Sequence, residues 1–268
     1  MPVANARMYS ATPRVKDAWN RLLHWVLADA GFDWDVIDYA APAPLNALWA
    51  RDDLGLAMMC GLPFSQRLPQ PQLVAAPIPS PARYEGRAVY CTDIVVRADS
   101  PFHSLQDTFG GTAGYTLADS MSGGVAFNAH LQRFRTEGEP RLYWRMVGNL
   151  VNARGIIDAL VRGDIDAGPL DSYYHDLLRN DAPAYAAQVR TVASTPWTPI
   201  PPLVSTASLT EPDMTRLRAS LQRAIAAPEL AAERASLLLA GFAVPDAADY
   251  AVLDAIARRP LPSFEELS

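Results

Sequence analysis

The chain has 268 residues, 50% of them hydrophobic, and a formal net charge of -6 at pH 7. That length accommodates one large domain or two lobes of ordinary size, with enough apolar residues for a sizeable core. The acidic balance argues against nucleic acid, which selects basic surfaces, and no apolar run reaches membrane-spanning length; a small bound anion stays open, because it responds to the local field and not to the sum.

Met1 to Met8 has no long apolar core after a basic start, so no signal peptide is visible. Cys60 and Cys91 are the only cysteines, too few for a disulfide framework. His24, His103, His130 and His175 are scattered without metal-ligand spacing. No metal and no cofactor is expected.

Strand-like and helix-like runs alternate along the chain. Residues 6–9 form a short apolar run. Thr12-Pro13 reads as an N-cap followed by proline at the first helical position. The helix it opens carries Val15, Trp19, Leu22, Leu23, Val26 and Leu27 and stops at Gly31. Strands over 36–39 and 54–59, with a helix over 45–51 between them, complete a βαβαβ pattern, which implies parallel pairing with right-handed crossovers. The proline-rich stretch 69–81 reads as extended with turns.

A long strand is expected over 88–97 and a short helix over 104–109. The apolar run 113–118 then meets Asp119, Ser120, Met121, Ser122, Gly123 and Gly124, and an amphipathic run follows with Val125, Phe127, Leu131 and Phe134 at helical spacing. This is strand, hydroxyl-rich glycine turn, helix. The first amides of a helix have no intrahelical acceptor and carry the positive end of its dipole. Serines and glycines let an anion approach them. Taken by itself, the same turn reads first as a serine N-cap on an ordinary helix.

Further on, 141–147 reads as a strand, 151–162 as a helix ended near Gly163, and 165–170 as a strand. Asp171-Ser172 caps a helix over 173–178. Residues 189–193 form the next strand, and prolines at 196, 199, 201 and 202 keep 197–204 extended. The remainder is expected to be helical, over 214–226, 231–239 and 248–258. The chain is therefore α/β, with one lobe of residues 1–96 plus 199–268, a second of 97–198, and crossings near 96–100 and 194–199. A discontinuous lobe flanking a continuous one is the arrangement of hinged binding proteins, which close around a ligand.

Four segments together resemble the phosphonate-type periplasmic solute-binding proteins of ABC transporters. The first runs Ile94-Val95-Val96-Arg97-Ala98-Asp99-Ser100-Pro101 and on to Ser104-Leu105-Gln106-Asp107. The second, Ser120-Met121-Ser122-Gly123, is similar to the family's Ser-Thr-Ser-Gly phosphonate cradle, with Met121 where many members carry threonine. The third is Ala159-Leu160-Val161-Arg162-Gly163-Asp164-Ile165-Asp166-Ala167-Gly168, and the fourth Thr195-Pro196-Trp197-Thr198-Pro199-Ile200-Pro201-Pro202. Residues 148–152 lack the Ser-His pair that many members place there, and Cys60-Gly61-Leu62-Pro63 stands in place of a Gly-Pro turn.

The resemblance implies a two-lobed type 2 periplasmic-binding fold, each lobe a mixed, mostly parallel sheet flanked by helices. It implies capture of a small anionic ligand, phosphonate or phosphate-like, in the inter-lobe cleft, by a monomer that hands it to an ABC permease without inserting into the membrane. The family is periplasmic; a genuine start at Met1 would instead place the chain in the cytoplasm, where the same fold serves as a ligand sensor or pathway enzyme.

Ligands of open α/β sheets bind beyond the carboxyl ends of the strands. The candidates there are Tyr9, Ser10, Cys60, Gly61, Tyr90, Ser120, Met121, Ser122, Gly123, Gly124 and Asp171. The serines and glycines would hold the anion through hydroxyls and amides. Tyr9 and Tyr90 would give phenol donors or an apolar wall, against the alternative of lobe packing. Asp171 would accept from the ligand, against the alternative of a helix N-cap. An enzyme is the competing class. Ser120-x-Ser122-x-Gly124 superficially fits a nucleophile elbow, but no histidine follows His175 to act as a late base. Cys60 has no histidine adjacent in sequence.

Overall fold

The computed structural model describes residues 1–40, 43–138 and 141–267. The chain forms two compact units, one of Met1–Val89 with Pro199–Ala251, the other of Tyr90–Thr198 with the tail from Val252.

The first unit begins with β1 (Val3–Asn5), earlier than the apolar run suggested; a 3-10 turn (Arg7–Tyr9) follows it. In α1 (Pro13–Ala30) the Thr12 side chain accepts from the Val15 amide at 3.1 Å and Gly31, at φ 72°, closes the helix, so both boundaries follow from local chemistry. Then come β2 (Asp35–Val36), α2 (Leu45–Trp49), β3 (Leu54–Met58), α3 (Gly61–Gln66) and β4 (Gln72–Pro79). Pro77 and Pro79 lie in β4 beyond its pairing with the strand at Leu203–Ser205, where only one neighbour remains; proline is tolerated there because one side of the strand needs no donor.

The expected long strand breaks at Cys91 into β5 (Val89–Tyr90) and β6 (Thr92–Arg97). β6 belongs wholly to the second unit, so the first crossing falls at 89–90 and not at 96–100. Next are β7 (Thr112–Gly114), a π-helical turn (Met121–Val125), α4 (Ala126–Leu131) with a closing 3-10 turn, β8 (Arg145–Val147), α5 (Ala153–Arg162), β9 (Gly168–Asp171), α6 (Ser172–Asp181), α7 (Pro183–Ala186) and β10 (Val189–Ser194). β6 sits between β10 and β9, antiparallel to both. β7 and β8 are parallel, and a parallel bridge from Ala113 to Ala167 links β7 toward β9.

The chain returns through β11 (Thr198–Pro199) and β12 (Leu203–Ser205) to α8 (Glu211–Ala226), α9 (Ala231–Ser236), β13 (Leu239–Ala243) and α10 (Ala251–Ala257). The sheet of the first unit has the order β13-β4-β12-β3-β1-β2. β1 is parallel to β2 and β3, as the βαβαβ pattern implied, and the returning strands pair antiparallel. The first unit's sheet is therefore mixed, while the second unit has an antiparallel three-stranded sheet beside the parallel β7-β8 pair. β13 corrects the expectation of an all-helical remainder: Leu239, Gly241, Phe242 and Ala243 pair with β4.

The tail also departs from expectation. The sequence places it in the first lobe, but Phe264 and Leu267 are buried in the core of the second unit with Ile94, Phe127, Leu131 and Leu142. The Leu142 and Tyr143 amides both donate to the Leu267 carbonyl, at 3.1 and 3.0 Å, and Phe264 stacks on Tyr115 at 3.8 Å. Burial of those two side chains outweighs sequence adjacency to the first-unit helices.

Candidate functional site

In the second unit, the carboxyl ends of β7 and β9 and the start of β6 meet at one sheet edge, since Thr92 pairs with Asp171 and Gly114 donates to Ala167. The 120–124 turn opens a continuous helical run there, and its first turn is π rather than α; such irregular turns recur at functional sites. Ser120 is the N-cap, at φ -74° and ψ 130°, its Oγ accepting from the Gly123 amide at 3.4 Å. The Gly124 and Val125 amides both donate to the Ser120 carbonyl at 2.9 Å. The amides of Met121 and Ser122 have no acceptor among the described residues. They sit at the positive end of the helix dipole.

This sorts the sequence candidates one by one. Ser120 and Ser122 lie at the helix start, with hydroxyls that can donate. Gly124 is a correction: its amide is taken, so it serves by shape, because a Cβ there would lie 2.3 Å from the Leu117 carbonyl oxygen. Gly123 likewise makes room, a Cβ meeting the Thr116 hydroxyl at 1.8 Å. Met121 contributes an amide only; its side chain is fully buried. Asp171 is an N-cap, its Oδ1 accepting from the Tyr173 and Tyr174 amides at 2.9 and 3.0 Å. Burial first, and then Asp171 and Asp176, hold the Tyr173 phenol well above its ordinary pKa and protonated. Tyr90 is buried, its carbonyl accepting from Thr198 Oγ1 at 3.4 Å.

Thr92 is a residue that sequence reasoning missed. Its hydroxyl donates to the Ser122 carbonyl at 3.0 Å, and its amide donates to Thr195 Oγ1 at 2.9 Å. It thereby ties the serine turn to the first strand of the unit. The available signal was a threonine just after the Cys91 break, inside a run otherwise read as one strand.

In the first unit the remaining candidates flank the carboxyl ends of adjacent parallel strands, Asn5 of β1 lying opposite Ala57 of β3. Tyr9 is buried in the 3-10 turn after β1, and the Ser10 hydroxyl donates to the Ala6 carbonyl at 3.2 Å. Cys60 and Gly61 start α3, both buried. Arg7 also stands here, its guanidinium 5.4 Å over the Tyr39 ring and bonded to the Ala43 carbonyl. Burial lowers its pKa from the ordinary value, with Tyr39 opposing.

A buried constellation lies beneath β6. His175 Nδ1 is 2.9 Å from Asp93 Oδ2, with both side chains fully buried, and Ser194 Oγ donates to Asp93 Oδ1 at 3.0 Å. The serine bonds the carboxylate and not the imidazole, so the base-to-nucleophile contact of a hydrolase is not formed. Among the described residues, no group of three or more His, Cys, Asp or Glu side chains is placed to hold a metal ion, and no helix is long and apolar enough to cross a membrane.

Comparison with known proteins gives this geometry a family. No curated protein matches the chain in sequence. Among solved structures, a binding-protein component of an ABC phosphonate transporter from Pseudomonas aeruginosa superposes with a TM-score of 0.74 at 16% identity, over 99% of this chain and 92% of that one. PhnD1 from Prochlorococcus marinus, in complex with methylphosphonate, gives 0.74 at 15% identity over 96% and 97%. XAC2383 from Xanthomonas citri, bound to ATP, gives 0.61 at 19% identity over 95% of each chain. These likenesses show a shared fold, that of two-lobed type 2 periplasmic-binding proteins. The model of the ABC-transporter phosphonate periplasmic substrate-binding protein family matches residues 9–250, and the chain therefore belongs to that family.

Proposed function

We propose that this chain binds a small phosphonate-type oxyanion at the Ser120–Ser122 turn and delivers it to an ABC permease. The observation that carries the reading is the pair of unpartnered amides, Met121 and Ser122, at the start of a helical run and flanked by two serine hydroxyls. Two free amides and two hydroxyls can serve the three acceptor oxygens of a phosphonate, and the helix dipole favours its charge. The net charge of -6 does not oppose this, because backbone donors act at contact distance. Family membership and the methylphosphonate carried by one relative support the choice of ligand.

On this reading Tyr90 and Asp171 line the same edge, Asp171 mainly by fixing the start of α6. Tyr9, Ser10, Cys60 and Gly61 are the corresponding candidates on the first unit. The protein acts as a monomeric, periplasmic solute-binding component and not as an enzyme. Support for that last point comes from the family and from Ser194, whose hydroxyl bonds Asp93 and not the His175 imidazole.

Isothermal titration calorimetry with methylphosphonate tests the reading. The intact chain is expected to bind it in a 1:1 complex. The double variant Ser120→Ala, Ser122→Ala is expected to lose at least about tenfold in affinity, since hydrogen bonds to a charged group contribute about 1.5–3 kcal/mol, while staying folded with a thermal midpoint lowered by no more than about 2–4 °C through loss of the Ser120 cap. Equal affinity in the two proteins rejects the assignment.

A further inference from the structure

Thr92 opens β6 and is almost fully buried. Its main chain is fixed from two sides. The Thr92 amide donates to Thr195 Oγ1 at 2.9 Å, and the Thr195 amide donates back to the Thr92 carbonyl at 3.0 Å. On the other side Thr92 lies opposite Asp171 of β9. Its neighbour Cys91 exchanges two bonds with Ser172: the Cys91 amide donates to Ser172 Oγ at 3.0 Å, and the Ser172 amide to the Cys91 carbonyl at 2.9 Å. The backbone at 91–92 is thus locked to the end of β10 and the start of α6, and the Thr92 side chain reaches from this fixed point to the serine turn.

The contact falls on a turn that has two registers open to it. In the structure the Val125 amide donates to the Ser120 carbonyl and the Ala126 amide to the Met121 carbonyl, both in the wide π pattern. An α turn would instead bring Val125 to Met121 and Ala126 to Ser122. The Thr92 hydroxyl donates to the Ser122 carbonyl at 3.0 Å. It therefore competes for the very acceptor that the Ala126 amide would take in the α register. The next carbonyl, Gly123, is held by the Thr116 amide at 3.0 Å.

We infer that Thr92 is a positioning residue for the oxyanion: by holding the Ser122 carbonyl, its hydroxyl keeps the turn in the π register and so aims the Met121 and Ser122 amides. The inference rests on the anion reading above and deepens it, since it names what fixes the donors. Thr92 acts through the turn and needs no contact with the ligand. A set of donors works only when its support holds it within about 0.5 Å of the productive geometry, and a change of register rotates the peptide groups that carry these amides.

Two variants separate this role from a purely structural one. Thr92→Val keeps both branches of the side chain and removes the hydroxyl; Thr92→Ser keeps the hydroxyl and removes a buried methyl. Both are expected to melt below the intact protein, the first through the carbonyl left without its donor and the second through the lost methyl. In calorimetric titration, Thr92→Val is expected to weaken methylphosphonate about three- to tenfold, the scale of one hydrogen bond, and Thr92→Ser to stay within about twofold. Affinity unchanged in Thr92→Val, or weakened equally in both variants, overturns the role of Thr92 and leaves the anion site standing. Amide NMR of the intact protein gives a reading that needs no variant: saturating methylphosphonate should shift the Thr92 and Thr195 signals along with those of Met121 and Ser122. Unmoved Thr92 and Thr195 signals beside shifted Met121 and Ser122 also overturn it. Failure of the intact protein to bind methylphosphonate removes the anion site itself, and this inference with it.

Discussion

His130 shows how a side chain can report on the second unit through pH. It is buried on α4, its ring 5.7 Å from that of Phe134. Burial, and then Arg133, lower its pKa from the ordinary 6.5. The unfolded chain therefore binds a proton at a pH where the folded protein does not. This contribution to stability is complete above pH 6.5 and is lost as pH falls through the folded pKa. Chemical denaturation at pH 7.5 and 5.5 should show the intact protein losing more stability than His130→Gln over that interval. Equal losses contradict the assignment. The same scale separates what was legible in the candidate site from what was not. Ser120 and Ser122 could be placed at a helix start because a small polar turn before an amphipathic run marks one. The Gly124 amide, the buried Met121 side chain and the capping role of Asp171 depend on which acceptor each group finds in three dimensions, and spacing does not encode that.

Among the elements, legibility followed the locality of the determinant. α1 could be read to its ends because Thr12, Pro13 and Gly31 act within one turn of themselves. β13 was read as helix because Leu239–Ala243 is short and apolar, and only its partner β4 decides its conformation. The break at Cys91 was hidden for the same reason: Thr92–Arg97 is fixed by β9 and β10, both distant in sequence. The tail was misplaced because its two anchors, Phe264 and Leu267, look like any apolar pair near a terminus. Leu267→Ala should destabilise the protein by about 2–4 kcal/mol in urea unfolding, as a fully buried leucine does. An effect below about 0.5 kcal/mol would mean that the tail does not complete the core of this unit.

The whole chain combines an acidic sum with a proposed binding site built from backbone donors. Such a site needs no cationic side chain, which explains why composition pointed away from nucleic acid yet left small anions open. It also explains why the family was recognisable from four separated segments at an identity to solved relatives of only 15–19%: the fold fixes where amides point, and few side chains are required to keep them there. The central claim is that the Met121 and Ser122 amides hold the oxyanion. A 15N-labelled titration with methylphosphonate followed by amide NMR tests it directly. The account predicts that the largest shift changes in the second unit fall on the amides of Met121 and Ser122, with Val125 moving less because its amide is already bonded to Ser120. Saturable binding that leaves the Met121 and Ser122 amides unmoved would contradict it.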